Sequence, residues 1–264
     1  MIIDAHAHIF PEKIATRAVK GISDFYDLPM RNDGTVDNLI ERGTRAGVDR
    51  FIVQSVATVP EQVESINNFI CENVNRYPDR LIGFGTIYPG YGDVKEEINH
   101  IISSGLRGVK LHPDFQKFNI DSPEAYKIYE EIEGRLPVLV HMGDKRYDYS
   151  APYRLINVLK DFPELTVIGA HFAGWSLWDE SAELLKDQKI YVDCSSSLYA
   201  MSSSHAEKLI REFGVDRVLW GTDYPMWASE EELELFNQIN LTDEEREKIL
   251  GLNALRMLGE SINE

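Results

Sequence analysis

The chain of 264 residues has little cysteine, little positive charge and no long apolar run. Its two cysteines, Cys71 and Cys194, lie far apart and outside any CxxC pattern. A disulfide framework is therefore not expected, and a reducing compartment is favoured. The sequence begins MIID, with no basic segment and no long apolar stretch behind it. We expect neither a signal peptide nor a transmembrane helix, and we expect a cytoplasmic location.

Basic residues are outnumbered, with 27 Lys and Arg against 44 Asp and Glu and a formal net charge of -17. Nucleic acids and anionic lipids are bound by clustered Lys and Arg. The charge balance therefore argues against a nucleic-acid or membrane partner, and the excess acid is typical of a solvated surface. We expect a small-molecule substrate. A homo-oligomer is a further expectation, and its symmetry stays open.

Short apolar runs alternate with amphipathic, helix-like stretches along the whole chain. The eight runs occupy residues 2–5, 51–56, 81–87, 106–111, 136–140, 165–170, 190–194 and 217–221. Most are continuously apolar, as parallel strands covered on both faces are. This alternation predicts an α/β fold, a (β/α)8 TIM barrel, which commonly needs about 250 residues. A doubly wound open sheet is the alternative.

The spacing of the runs also predicts how the chain is organised. No linker or low-complexity tract divides the sequence, so we expect a single domain over residues 1–264. The gap between the first two runs is unusually long. We therefore expect residues 9–33 to form an excursion over the mouth of the barrel, meaning the C-terminal ends of its strands.

Polar side chains stand where the apolar runs end. Those at or just past the ends of six of the runs are His6, His8, Lys110, His112, His141, His171, Asp193 and Asp223. Barrel active sites are built at the C-terminal ends of the strands. Because side chains alternate along a strand, His6 and His8 point to the same side, and so do Lys110 and His112. We expect the whole set to meet at the mouth.

Histidines and a carboxylate without thiolates are ligands that suit zinc, manganese or ferrous iron. The pattern therefore predicts a divalent ion, with Zn²⁺ as the first choice, held by His6, His8, His141 and Asp223. Such an ion lowers the pKa of its water to about 7 and polarises a carbonyl group. Lys110 leaves three options open: it binds a substrate anion, pairs with an acid such as Asp223, or is carbamylated by carbon dioxide beside the metal.

The order of these segments resembles the amidohydrolase superfamily, most closely the amidohydrolase-related branch of aminocarboxymuconate-semialdehyde decarboxylase-like enzymes. The matching segments are IDAHAH at 3–8, GVKLHP at 108–113, VH at 140–141, GAH at 169–171, YVD at 191–193 and GTDYP at 221–225. The resemblance implies the same four ligands and gives Asp223 a second role with the proton of the bound water. It makes His171 a catalytic partner or a ligand of a second ion. Lys110 stands where two-metal members carry a carbamylated lysine.

Four residues are candidates for substrate binding: Arg146, His112, Trp175 and Tyr224. Arg146 comes shortly after His141, and a guanidinium can bind a carboxylate through two hydrogen bonds. The aromatic residues follow the metal-site positions along the chain, and aromatic rings suit a ring-bearing or planar substrate.

These residues together predict a metal-dependent hydrolase of a small ester, lactone or amide. Asp223 would act as general base and then general acid, and His171 would stabilise the oxyanion or assist proton transfer. The alternative is a lyase, a non-oxidative decarboxylase or hydratase of a small aromatic or unsaturated carboxylic acid, using the same site. A phosphodiesterase is disfavoured by the acidic charge balance. A metal-binding barrel without catalysis is disfavoured because the ligand set and the acid/base candidates are both present.

Overall fold

The computed structural model describes residues 1–260, in which eight parallel strands form a barrel. The strands are Ile3–His8 (β1), Arg50–Gln54 (β2), Leu81–Thr86 (β3), Gly108–Leu111 (β4), Val138–Val140 (β5), Val167–Gly169 (β6), Tyr191–Asp193 (β7) and Val218–Leu219 (β8). They pair in sequence order. The chain after β8 returns to β1, since the Asp223 N–H donates to the carbonyl oxygen of His6 at 2.8 Å. The predicted (β/α)8 barrel is confirmed, and the open sheet is excluded.

Helices alternate with the strands. They are Glu12–Tyr26 (α1), Val36–Ala46 (α2), Val63–Arg76 (α3), Val94–Ser103 (α4), Pro113–Gln116 (α5), Pro123–Ile132 (α6), Pro152–Asp161 (α7), Ala170–Ala173 (α8), Trp178–Leu185 (α9), Ser203–Phe213 (α10), Ser229–Asn237 (α11), Asp243–Glu247 (α12) and Asn253–Met257 (α13). A π-helical segment, Lys248–Leu252, joins the last two. Within residues 1–260, no helix combines the length and apolarity needed to cross a bilayer.

The predicted single domain over residues 1–264 stays a prediction, and its last four residues lie outside the described part of the chain. The eight-stranded sheet itself runs from residue 3 to residue 219. The strands of this sheet position the side chains at the mouth of the barrel.

Side chains of the strands alternate between two apolar clusters. Val109 and Val138 belong to the larger cluster, between strands and helices. Leu139 and Ile168 belong to the smaller one, which fills the barrel interior. Because side chains alternate along a strand, Lys110 falls on the inner side of β4, and polar residues form the last inward layer at the mouth.

The long connection between β1 and β2 contains α1 and α2. At the end of α1, the hydroxyl oxygen of Tyr26 lies 3.0 Å from His112 Nε2, just past β4. The neighbouring ring of Phe25 packs edge-on against Phe115, with centroids 4.6 Å apart. Helix α1 therefore runs from the end of β1 to the end of β4, across the mouth, as the long first gap in the sequence predicts.

The Gly108 position tests how tightly the barrel interior is packed. A Cβ added there would lie 2.5 Å from Cζ of Phe84, which is fully buried. We expect Gly108→Ala to lower the free energy of unfolding by about 1–3 kcal/mol, because a close-packed interior resists added volume. Urea denaturation followed by circular dichroism measures this change. Adding Phe84→Leu should make the double variant more stable than Gly108→Ala alone. A Gly108→Ala protein as stable as the wild type would contradict the packing.

Candidate metal centre

Three of the predicted ligands converge at the mouth of the barrel. The Nε2 atoms of His6 and His8 lie 3.2 Å apart, and Oδ1 of Asp223 lies 3.4 and 3.5 Å from them. A tetrahedral zinc ion with bonds of about 2.0–2.1 Å separates its ligand atoms by about 3.4 Å. The spacing of these three atoms, which we call the first donor set, therefore fits one divalent ion.

The fourth predicted ligand, His141, stands beside His171, with its Nδ1 atom 3.1 Å from His171 Nε2. His171 Nδ1 lies 2.9 Å from the carbonyl oxygen of Ser195, so this nitrogen carries the proton and Nε2 keeps a lone pair. His141 Nε2 lies 3.2 Å from Asp114 Oδ2, which favours a proton on that nitrogen although the angle is poor for a hydrogen bond. Two lone pairs then face each other, an arrangement that a cation between them stabilises. We call His141 and His171 the second donor set.

The protonation states of these groups suit metal binding. Burial lowers the pKa of His6 well below its ordinary value, that of His8 to about 3 and that of His171 to about 4. The imidazoles are therefore neutral at pH 7, which is the form that binds metal. Burial works to raise the pKa of Asp223, but the neighbouring histidines outweigh it, and the net shift is downward. Asp223 is therefore a carboxylate at neutral pH.

Lys110 lies against the first donor set, in the innermost part of the site. Its side chain is fully buried, and its Nζ atom lies 3.1 Å from His6 Nε2. Burial lowers the pKa of this amine to about 8, against the opposing effect of the negative charge on Asp223. The fraction of neutral amine at pH 7 is thus larger than for an exposed lysine.

Asp193, the last residue of β7, forms hydrogen bonds with a member of each donor set. Its Oδ2 atom lies 3.0 Å from His6 Nδ1, and its Oδ1 atom accepts a hydrogen bond from the backbone N–H of His171 at 3.1 Å. A carboxylate behind a ligating histidine fixes the tautomer and the orientation of the ring. His6 therefore presents the lone pair of Nε2 to the first donor set.

The backbone at the mouth is strained where it presents these side chains. His171 and Asp223 have φ angles of 61° and 55°, in the left-handed region that non-glycine residues seldom adopt. In α8, the backbone of Phe172 and Ala173 also has positive φ angles. The Ser181 hydroxyl donates to the carbonyl oxygens of both residues and so supports the turn. Such strain persists only where the surroundings enforce it, and it is concentrated at functional sites.

Ser196 supports Asp223 and was not predicted as a site residue. The Ser196 hydroxyl donates to Asp223 Oδ2 at 2.6 Å, and the indole N–H of Trp227 donates to the same hydroxyl at 2.9 Å. A signal was present, because three serines, residues 195–197, follow Asp193 after Cys194. Asp114 was missed as well, although it follows the strand-end His112 by two residues.

Tyr26 was not predicted either. No local pattern marks it, because it lies in α1 and, along the sequence, far from any strand end. His112 Nδ1 accepts a hydrogen bond from the backbone N–H of Phe115 at 3.4 Å, so the imidazole proton is on Nε2. That N–H donates to the hydroxyl oxygen of Tyr26. Burial raises the pKa of Tyr26 well above its ordinary value. The hydroxyl keeps its hydrogen and can donate it to another group.

Arg146, a predicted substrate-binding residue, is engaged by the protein itself. Its guanidinium pairs with the buried Asp144, with Nη2 2.7 Å from Oδ2 and Nε 3.0 Å from Oδ1. Nη1 donates to the backbone carbonyl oxygen of Phe25 at 2.7 Å, and the guanidinium carbon lies 4.7 Å from the centroid of the Phe25 ring. Arg146 thereby fastens the end of α1 to the loop after β5.

Trp175 and Tyr224, the two aromatic residues predicted to bind substrate, contact other parts of the protein. The Trp175 ring packs edge-on against Tyr26, with centroids 5.2 Å apart. The Tyr224 hydroxyl turns towards α2 and donates to the carbonyl oxygen of Thr35 at 2.8 Å. His112 is the predicted substrate-binding residue that lines the cavity; Arg146, Trp175 and Tyr224 are not among its described lining residues.

A cavity of about 1020 Å³ opens over the first donor set and over His141 of the second. Its inner end is lined by His6, His8, His112, His141 and Asp223. Residues of α1 and α3 line much of the rest, together with loop residues that follow β1, β2 and β8 and with Phe115 of α5. The side chains of the five residues at the inner end are therefore accessible to a small molecule that enters from the mouth.

A barrel with buried histidines and a carboxylate at its strand ends has the architecture of metal-dependent barrel enzymes. Residues 3–259 match the family profile described as "Amidohydrolase". The chain therefore belongs to the amidohydrolase family, and it is a metal-dependent enzyme of the hydrolase or decarboxylase type. The predicted resemblance is confirmed, and so is the expectation of a divalent metal; the zinc assignment and the roles of individual residues stay predictions.

Solved structures share the fold over nearly the whole chain. An uncharacterized TIM-barrel protein from Bordetella bronchiseptica is 22% identical, with a TM-score of 0.81 and coverage of 98% of both chains. A dihydroxybenzoic acid decarboxylase from Polaromonas sp., with manganese and the inhibitor 2-nitroresorcinol bound, is 15% identical, with a TM-score of 0.76 over 98% of this chain and 96% of that one. A protein described as a probable 2-pyrone-4,6-dicarboxylic acid hydrolase from Acinetobacter baumannii is 21% identical, with a TM-score of 0.71 and coverage of 98% of this chain and 99% of that one. At these identities, the similarity concerns the fold.

Proposed function

We propose that this enzyme hydrolyses a small ester, lactone or amide at a centre of two divalent ions. The observation that carries the proposal is the pair of donor sets at the mouth of the barrel: His6, His8 and Asp223 for one ion, His141 and His171 for the other, of which all but His171 line the cavity. When bound, such ions lower the pKa of a coordinated water to about 7 and polarise a carbonyl group. Nitrogen and carboxylate ligands at this spacing suit Zn²⁺. Manganese, present in the Polaromonas decarboxylase, is the alternative.

Lys110 is proposed to complete the centre as a carbamate. Its neutral amine would attack carbon dioxide, forming an N–C bond and releasing one proton. Two arguments support this: the amine is fully buried beside His6, and burial lowers its pKa to about 8. An ammonium group in that position would repel a bound cation, whereas a carbamate is an anion that attracts both ions.

Metal content and mass test this centre. Protein purified without chelators should hold about two divalent ions per chain, and its intact mass under mild conditions should include one added carbon dioxide. Lys110→Met should lose the added mass and bind fewer ions, because the bridging anion is removed. Lys127→Met, an exposed substitution on α6, is the matched control and should keep both. Near-zero bound metal, together with activity that does not respond to added metal, would reject the proposal.

The protein groups around the centre have separate tasks in the proposed hydrolysis. Asp223, a carboxylate at neutral pH and positioned by the Ser196 hydroxyl, accepts the proton of the attacking water and delivers it to the leaving group. The Tyr26 hydroxyl, which receives a hydrogen bond from His112, donates its own hydrogen to the substrate oxygen as negative charge develops there.

The Asp223 assignment and the reaction are tested together on the metal-loaded enzyme. A panel of esters, lactones and amides should be hydrolysed, and Asp223→Asn should keep bound metal while kcat falls by about 10²–10⁴, because an amide cannot accept the proton. A pH-stat measures the acid released. The exposed Asp187→Asn serves as the control. Near-normal kcat in Asp223→Asn would remove Asp223 from the proton transfer.

Tyr26→Phe tests the proposed contact with the substrate oxygen. We expect kcat to fall by about 10² while the metal content and the fold stay as in the wild type, since one donor to a developing oxyanion is lost. The same ester assay, with metal analysis, measures both. Tyr153→Phe, which removes an exposed hydroxyl on α7, should leave kcat unchanged. Wild-type kcat in Tyr26→Phe would assign this hydroxyl a packing role only.

The second candidate is a lyase, a non-oxidative decarboxylase or hydratase of a small aromatic or unsaturated acid. The rings of Phe25, Tyr26 and Phe115 at the mouth favour a planar substrate. A substrate carboxylate would need a cation near the donor sets, but Arg146 is paired with Asp144 and does not line the described cavity. Hydrolysis is therefore preferred. Carbon dioxide release from aromatic acids, without ester hydrolysis, would identify the lyase instead.

A further inference from the structure

The cavity over the metal centre continues into a groove between α1 and α3. On the α1 side it is lined by Ile14, Ala18, Ile22 and Phe25, whose spacing places them on one face of the helix. These four side chains are partly exposed, and within residues 1–260 they belong to neither apolar core cluster. Helix α1 therefore presents an apolar face to the groove.

The opposite wall carries two apolar side chains among polar ones, and the space between the walls is open. Ile66 and Phe69 of α3 pack against the core on one side and line the groove on the other. A Cβ added at Gly21, on the α1 wall, would meet no atom within 4 Å. The cavity of about 1020 Å³ is at the upper end of the range of about 300–1,000 Å³ for small-molecule sites. A one-ring substrate at the donor sets would leave the groove unfilled.

Two positive charges stand at the outer edge of the α1 wall. Lys13 and Arg17, one helical turn apart, are both exposed and both line the cavity. Within the described residues, neither has an acidic group within the ion-pair distance of 4.0 Å. The two cations therefore leave a positive charge on this wall of the groove, in a chain whose net charge is -17. The acidic residue that lines the groove, Glu72, is on the α3 wall.

We propose that the groove is a second part of the substrate site and binds an apolar acyl arm that ends in a carboxylate. This inference rests on the proposed hydrolase function, which places the scissile bond at the donor sets. The arm lies between α1 and α3, and its carboxylate meets Lys13 and Arg17. At 1.5 Å per residue, Arg17 and Tyr26 are about 13 Å apart along α1, and this distance limits the length of the arm. The substrate class is therefore an ester, lactone or amide of a medium-chain dicarboxylic acid.

Binding measured without turnover tests the charged end of the arm. Octanoate and suberate have the same number of carbons, and suberate adds one terminal carboxylate. In calorimetric titrations of the metal-loaded enzyme, suberate should bind more tightly than octanoate. The double variant Lys13→Gln with Arg17→Gln should reduce this preference by about 3- to 10-fold, as expected for two exposed ion pairs. Lys20→Gln, on the same helix and paired with Asp24, is the matched control.

Two further variants test the walls of the groove. Glu72→Gln removes a negative charge from the α3 wall and should strengthen suberate binding. Gly21→Leu fills open space, and leucine is a better helix former than glycine, so thermal stability should be kept. This variant should lower kcat/KM for nitrophenyl hydrogen suberate at least about tenfold relative to nitrophenyl acetate, because the blocked groove matters only to the longer acyl group.

The outcomes separate this inference from the proposed function. A suberate preference that depends on Lys13 and Arg17 supports the groove even if no ester is hydrolysed, in which case only the hydrolase function fails. Equal binding of suberate and octanoate, or a preference unchanged in the double variant, overturns the inference even if esters are hydrolysed. A dimer that Phe69→Arg dissociates, with suberate binding unaltered, would assign the groove to a second copy of the chain and also overturn it.

Discussion

The hydrogen bond between His6 Nδ1 and Asp193 Oδ2 joins the first strand to the seventh and determines which nitrogen of His6 faces the cavity. The other oxygen of the same carboxylate accepts the backbone N–H of His171, so one buried group orients members of both donor sets. Burial raises the pKa of Asp193, and the hydrogen bonds and charges around it act in the opposite direction. If this contact were lost, the His6 ring could rotate and the convergence of lone pairs on an ion would be weakened.

Helix α1 covers the strand ends and shapes the space above them. It brings Tyr26 to the mouth, provides one wall of the groove, and is fastened at its end by Arg146, whose guanidinium bonds to the Phe25 carbonyl and to Asp144. A residue that the sequence suggested as a contact for substrate thus contacts the helix that covers the site. The cavity, the hydroxyl donor and the groove all depend on where this one helix lies.

Much of the fold could be predicted, because parallel strands buried on both faces leave continuous apolar runs. The last five runs were all predicted too long; residues 190–194, for example, correspond to Tyr191–Asp193, and residues 217–221 to Val218–Leu219. At their ends the chain leaves the ladder and bends, and Asp223 itself has a left-handed backbone, which an apolar pattern does not reveal. The histidines were found because each follows a run. Tyr26 was not, because its place in the site depends on the path of a helix that crosses the mouth.

The sequence by itself determined the alternation of eight apolar runs and the residue types at their ends. Both follow from local rules: a strand buried on both faces is apolar along its length, and the residues at its C-terminal end lie at the mouth of the barrel. Tertiary structure alone decided that His141 faces His171, and that His6 faces His8. It also decided that Ser196 supports Asp223, and that α1 forms a groove with α3. The reason is that these contacts join residues far apart along the chain, and their distances are set by barrel closure and by the packing of α1, which no local pattern encodes.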